Sequence, residues 1–157
     1  MIEQIAAFFT IEMIYLWLNF GILPFWFVLM FFPKSKICGL LVTSIFPFFI
    51  LAAIYCYLVY YYFIGGYDFD KNFILYLSLF NLSSLFEDEG FLILFWTHFL
   101  AVNLFCGAWM VRDSLKFLMS KYLILIPLLV IYFIGPVGLI LYWILRIFYA
   151  KKIGLID

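Results

Sequence analysis

Four long apolar runs, parted by short polar or glycine-bearing breaks, set the pattern of this chain. They cover roughly residues 5–32, 37–64, 91–111 and 122–149. A helix needs about 20 apolar residues to cross about 30 Å of hydrocarbon, so each run is long enough for one crossing. The first is closed by Pro33 and the basic turn Lys34-Ser35-Lys36, and the second by Gly65-Gly66. The third is approached through Glu87-Asp88-Glu89-Gly90, and the fourth follows Lys121. Only helices and closed barrels satisfy every backbone group in lipid. The pattern therefore predicts an all-α, polytopic membrane protein. It would be a four-transmembrane-helix bundle forming a single domain over residues 1–157. Residues 72–86 mix Phe73, Leu75, Leu77, Leu79 and Leu82 with Ser78, Asn81, Ser83 and Ser84. That run is short and polar, and predicts an interfacial or re-entrant helix between spans two and three; a fifth crossing is the alternative.

Composition strengthens this reading. Hydrophobic residues make up 69% of the chain, charged residues 11%, and the mean hydropathy is +1.21. A soluble domain carries about 45–50% apolar and about 25% charged residues, so this chain needs the lipid bilayer as its solvent. The formal net charge is zero and no basic patch stands out, which argues against nucleic acid as a partner. The aromatic share is 25%. It suits a wide, flat, apolar ligand, and it equally suits a biased base composition. Cys38, Cys56 and Cys106 are scattered through apolar segments without metal spacing, and read as small buried hydrophobes. Met1 to Gln4 lack Lys and Arg, and the run behind them is too long for a signal-peptide core. The expectation is a retained first helix in a multi-pass protein of a bacterial inner membrane. The basic residues of the loops are divided almost evenly. Lys34 and Lys36 in the first turn favour both termini outside. Self-association into a homo-oligomer is left open.

Candidate chemistry starts from His98, the only histidine, which falls inside the third apolar run. An ionisable group in a membrane segment is costly and marks a functional site by default. At 1.5 Å per residue, His98 lies about 10 Å below the start of span three, and Glu12 about 10 Å below the start of span one. The two spans run in the same direction, so the expectation is that His98 and Glu12 lie level and exchange a proton. Asn19 and Asn103 fall near mid-membrane on the same two helices, span four would bring Tyr142 to the depth of His98, and span two offers Tyr55 and Ser44. Each of these groups has a plainer reading. A buried His or Asn often joins two helices by a hydrogen bond, and Glu12 can snorkel to the interface. Asp113 lies about 22 Å along the helix from His98, and is expected to pair with Arg112, Lys116 or Lys121 or to cap a helix. Pro24, Pro47 and Pro127 fall within spans, and Pro136 lies in Gly135-Pro136-Val137-Gly138. Their kinks serve packing or open a pocket between helices. The chain carries no P-loop, no G-x-G-x-x-G, no H-E-x-x-H and no nucleophile elbow. One histidine is too few for a multi-histidine iron site, so no metal and no tightly held redox cofactor are expected.

Three ordered motifs carry a resemblance. They are Asn19-x-x-x-Leu23-Pro24-Phe25-Trp26 followed by Pro33; Trp96-Thr97-His98-Phe99-Leu100-Ala101-Val102-Asn103-Leu104-Phe105-x-Gly107-x-Trp109-x-x-x-Asp113; and Gly135-Pro136-Val137-Gly138-Leu139 followed by Arg146. Together they resemble the small membrane-protein family that includes plant neoxanthin synthase, and the likeness spans nearly the whole chain. Two positions depart from the family pattern: Asn103 stands where the family has Asp, and Tyr142 where it often has His. The resemblance implies four membrane helices and a carotenoid or related polyene as ligand. In plants the family is needed to open an epoxide and remove a ring-adjacent chain proton, with no net electron transfer; isomerisation or cleavage of another carotenoid is left open for this chain. On that model His98 and Glu12 would be the catalytic acid and base. Asn103 and Tyr142 would hold oxygen atoms, and Asn19, Tyr55, Trp26, Trp96 and Trp109 would also bind the substrate, the aromatic walls holding the polyene. Pro24, Gly107, Asp113, Gly135, Pro136 and Gly138 would be structural. Two other classes stay open. One is a small proton-coupled transporter of lipophilic compounds, with Glu12 as its carboxyl. The other is a pigment-binding subunit without chemistry.

Overall fold

The computed structural model describes residues 10–66 and 77–151, and these form six α-helices and one π-helical turn. Helix α1 spans Ile11–Phe31. The π turn Cys38–Val42 precedes α2, Phe46–Ile64. A short α3, Leu79–Leu85, precedes the long α4, Glu89–Lys116. Helices α5, Lys121–Ile134, and α6, Pro136–Ala150, end the described chain. Three segments are long and apolar enough to cross a membrane: Ile11–Phe31, Cys38–Tyr62 and Glu89–Lys116. Large apolar side chains such as Phe20, Phe49, Phe105, Phe133 and Phe148 are exposed. Three such helices with apolar outer faces mark a membrane protein, because water would not tolerate that surface.

The first three runs become helices close to the expected bounds. Residues 5–9 of the first run lie outside the described residues. The second run is interrupted at Thr43, Ser44 and Ile45. Thr43 Oγ1 donates to the Gly39 carbonyl, and Ser44 Oγ accepts from the Phe46 N–H. Pro47 then sits in the first turn of α2, where its missing N–H costs nothing. Helix α4 extends past both ends of the predicted third span. Asp88 caps its start by accepting from the Phe91 N–H at 2.8 Å. Inside it, Thr97 and Ser114 donate to the carbonyls of Ile93 and Val111, so both buried hydroxyls are satisfied within the helix. Of the run 72–86, residues 72–76 lie outside the described residues. The remainder holds α3, whose seven residues include no buried side chain. At about 10 Å it is far too short to cross.

The fourth run is the main correction. It is not one helix of 28 residues but two, α5 with 14 and α6 with 15 residues, broken at Gly135. Each is about 21–23 Å long, short of the about 30 Å of a bilayer core. Gly135 has φ +52° and ψ −103°, a backbone conformation that side chains rarely accept. Pro136 cannot continue α5, because it lacks the N–H and its ring would strike the preceding turn, but it is well suited to start α6. The direction of each half follows from its neighbours on α4. Leu128 of α5 packs near Gly107, and Gly135 lies against Asn103. Tyr142 and Arg146 of α6 then meet Asp113. Helix α5 thus runs back along α4, the chain turns beside Asn103, and α6 runs forward along α4 again. Among the described residues a helical hairpin thus stands where the sequence predicts a fourth long helix, beside three long apolar helices.

The described residues divide into two compact units, one comprising 10–22, 49–66 and 77–100, the other 23–48 and 101–151. The first has a core of Ile14, Leu18, Ile22, Leu51, Leu58, Ile93, Thr97 and Leu100. In the second, Trp26, Leu29, Leu104, Met110, Val111, Ile124, Leu128, Ile131 and Tyr142 are buried.

The hairpin depends on glycine at two places. A Cβ on Gly138 would sit 2.4 Å from the Ile131 backbone nitrogen, a contact that no side-chain movement relieves. We expect Gly138→Ala to force α5 and α6 apart and to cost about 1–3 kcal/mol. Thermal unfolding in detergent should show it, with Gly39→Ala as control, because a Cβ there meets nothing within 4 Å.

Candidate functional site

In the first unit, α1 and α4 are joined through Asn19. Its amide NH2 donates to the Tyr15 carbonyl at 2.7 Å, and its Oδ1 accepts from Trp96 Nε1 at 3.2 Å. The Tyr15 and Trp96 rings lie 6.1 Å apart beside this bond, and Trp96 also stacks on Phe99 at 5.3 Å. Asn19 therefore acts as an interhelical tie, with both ends of its amide engaged by protein. The tie sets a register in which a residue of α1 faces the residue 77 positions later on α4. Glu12 is thereby placed opposite Glu89. Both line an open groove of about 590 Å³ together with Ile11, Tyr15, Leu16, Leu92, Ile93 and Trp96.

The same register corrects the expected level of His98. That residue is level with Gly21, and lies nine residues, about 13 Å, beyond Glu89 along the helix. Nine residues also carry a side chain half a turn round, so His98 leaves α4 on the side opposite Glu89. It is exposed, and its ring is 6.4 Å from that of Tyr55 on α2. Glu12 and His98 are thus not brought together: the groove takes Glu12, and the α2 side of α4 takes His98. In sequence Glu89 reads as part of the acidic approach Glu87-Asp88-Glu89 to the third span, and nothing local marks it as a companion of Glu12. The spacing of 77 that pairs it with Glu12 comes only from the packing of Trp96 on Asn19.

In the second unit the polar groups gather at Asp113, which is 2% exposed. Its Oδ2 accepts from Tyr142 Oη at 2.8 Å and from Arg146 Nε at 2.6 Å. Arg146 is 3% exposed and also lies over the Phe117 ring, 5.1 Å from its centre. The partner of Asp113 is therefore Arg146, in place of the expected Arg112, Lys116 or Lys121. The hairpin causes this, since it returns α6 to the polar end of α4. Tyr142, fully buried, lies beside Asp113 for the same reason, and not at the depth of His98. Trp109 closes the cluster by an edge-on contact with Tyr142 at 5.6 Å. Trp26 is buried against Gly107, where a Cβ would come 2.8 Å from its indole, and meets Tyr132 edge-on at 5.3 Å. Asn103 is buried at the hairpin turn; its Oδ1 would be 3.0 Å from a Cβ on Gly135, and its Nδ2 has no partner among the described residues. Pro24, inside α1, is exposed and frees the Phe20 carbonyl.

Asp113 and Arg146 form a buried ion pair in the second unit. Removing one member of a buried pair strands the other charge, at about 3–5 kcal/mol. We expect Asp113→Ala and Arg146→Ala each to destabilise by that order. The double substitution should cost much less than the sum, and a double-mutant cycle from unfolding in detergent measures the difference.

Comparison with known proteins places these features in a family. No curated protein and no solved structure matches the chain. A family model described as ABA DEFICIENT 4-like matches residues 13–142. The match begins in the first turn of α1 and ends at Tyr142, so it takes in Asn19, Trp96, His98, Asp113 and the hairpin turn. Since it covers most of the 157 residues, the chain belongs to the ABA DEFICIENT 4-like family, the neoxanthin-synthase-like family to which the three sequence motifs point.

Proposed function

We propose that this protein is a multi-pass membrane enzyme that modifies a carotenoid or related isoprenoid by acid–base chemistry. The reaction would be an isomerisation or an epoxide opening. Family membership supports the substrate class, and one observation supports the chemistry. Glu12 and Glu89 both line an apolar groove of about 590 Å³ whose walls include Tyr15 and Trp96. Opening an epoxide with loss of a neighbouring chain proton needs an acid at oxygen and a base at carbon. Two carboxyl groups on facing helices offer both roles without metal or redox cofactor. The flat rings give a polyene end group apolar contact area, and the open side of the groove leaves room for its tail in lipid.

On this reading Glu12 and Glu89 carry the proton. His98, on the other side of α4 beside Tyr55, stands outside the groove. The test is expression in carotenoid-accumulating bacterial hosts followed by pigment chromatography. Wild type should yield a new carotenoid or remove an existing one. Loss of one general acid or base should lower conversion by about 10²–10⁴-fold in Glu12→Gln and Glu89→Gln, while His98→Ala keeps most of it. Loss in His98→Ala with activity kept in Glu12→Gln would move the site to the α2 side of α4. Unaltered pigments in every host would overturn the enzyme. Uptake of a lipophilic cation, lost in Glu12→Gln, would then favour a transporter, and co-purified unchanged pigment a binding subunit.

A further inference from the structure

A second cavity, in the other unit, has a different chemistry. It holds about 250 Å³ and is lined by Thr43, Phe48, Phe105, Ala108, Trp109, Arg112, Asp113 and Lys116. Phe105, Trp109, Arg112 and Lys116 follow one another at four, three and four residues, so they form one stripe along α4. The stripe changes from aromatic to cationic at the point where the apolar run of α4 ends, after Val111. Phe48 packs edge-on against Phe105 at 5.5 Å and forms part of the apolar wall.

Three charged groups meet this space. The charge of Asp113 is matched by Arg146 through Oδ2. Its Oδ1 is buried and has no hydrogen-bond partner among the described residues. An unmet carboxylate oxygen is costly in a dry setting and calls for a donor. Arg112 and Lys116 are exposed and form no ion pair among the described residues. With Asp113 neutralised by Arg146, they leave the cavity two positive charges in excess. The occupant that answers all of this is anionic where it meets Arg112 and Lys116, carries an O–H or N–H for Asp113, and has an apolar body for Phe48, Phe105 and Trp109.

We propose that this cavity binds a phosphate ester whose head also bears a hydrogen-bond donor, as phosphatidylethanolamine and phosphatidylglycerol do. Arg112 and Lys116 hold the phosphate, Asp113 Oδ1 accepts from the head, and the aromatic wall takes the glycerol and upper acyl carbons. The site lies at the edge of the apolar run, where a bilayer places its phosphates. It is independent of the groove that holds Glu12 and Glu89.

The test compares lipids on the full chain in detergent by native mass spectrometry and thermal unfolding. Phosphatidylethanolamine and phosphatidylglycerol should remain as one-to-one adducts and raise the unfolding temperature. Phosphatidylcholine has the same phosphate and no donor in its head, and should be retained at least about tenfold less. The variant Arg112→Gln/Lys116→Gln, altered only at exposed positions, should lose retention of the first two lipids by about tenfold or more. Glycerol 3-phosphate tests the source. If it displaces neither lipid, the ligand is a lipid headgroup; if it displaces both at equal concentration, the same chemistry is met by a soluble ester. Equal retention of phosphatidylcholine and phosphatidylethanolamine by wild type overturns the proposal. So does a folded Arg112→Gln/Lys116→Gln variant with unchanged retention.

Discussion

A single carboxylate oxygen holds the second unit together. Asp113 Oδ2 accepts from Tyr142 and from Arg146, two residues of α6 one helical turn apart. A charge in an apolar segment costs several kcal/mol unless it is paired, so α6 must lie along the polar end of α4. That requirement is met only if the chain turns back between Ile134 and Tyr142. Gly135 and Pro136 make the turn, and Gly138 lets the two short helices touch backbone to backbone. The ion pair and the hairpin are thus one device, since neither is satisfied without the other.

The two units divide the polar chemistry of a very apolar chain. In the first, one amide ties α1 to α4 and sets the register that faces Glu12 with Glu89. In the second, the buried pair leaves one carboxylate oxygen and two exposed cations around a small cavity. Asn103 and Tyr142 both belong to the second unit. Tyr142 and Asn103 are neutral there. Tyr142 donates to Asp113, a role that a phenol fills without adding a charge to an already charged cluster.

Much of this was legible along the chain. Apolar length predicted four long helices, and three of them form, because apolar backbone in lipid must satisfy its own hydrogen bonds. The glycine and proline positions were legible as special, and so were the ordered motifs that carry the family likeness. The hairpin was not legible. A 28-residue apolar run reads as one crossing, and Gly135-Pro136 reads equally as a kink or as a reversal. The partner of Asp113, sought among nearby cations, is 33 residues away for this reason. The level of Glu12 was also lost, since depth counted from helix ends carries the error of those ends, whereas a single indole–amide bond fixes register to the residue.

Sequence by itself determined the solvent, the helical class, the family and the residues able to do chemistry. These follow from composition and local periodicity, which need no knowledge of what lies beside what. Tertiary structure alone decided which of those residues meet. It placed Glu12 in one groove with Glu89 and apart from His98, and Arg146 against Asp113, because contacts between helices depend on register and chain reversal. Both are set by a few packing contacts far apart in the chain, and apolar side chains that look alike in sequence carry no label of their neighbours.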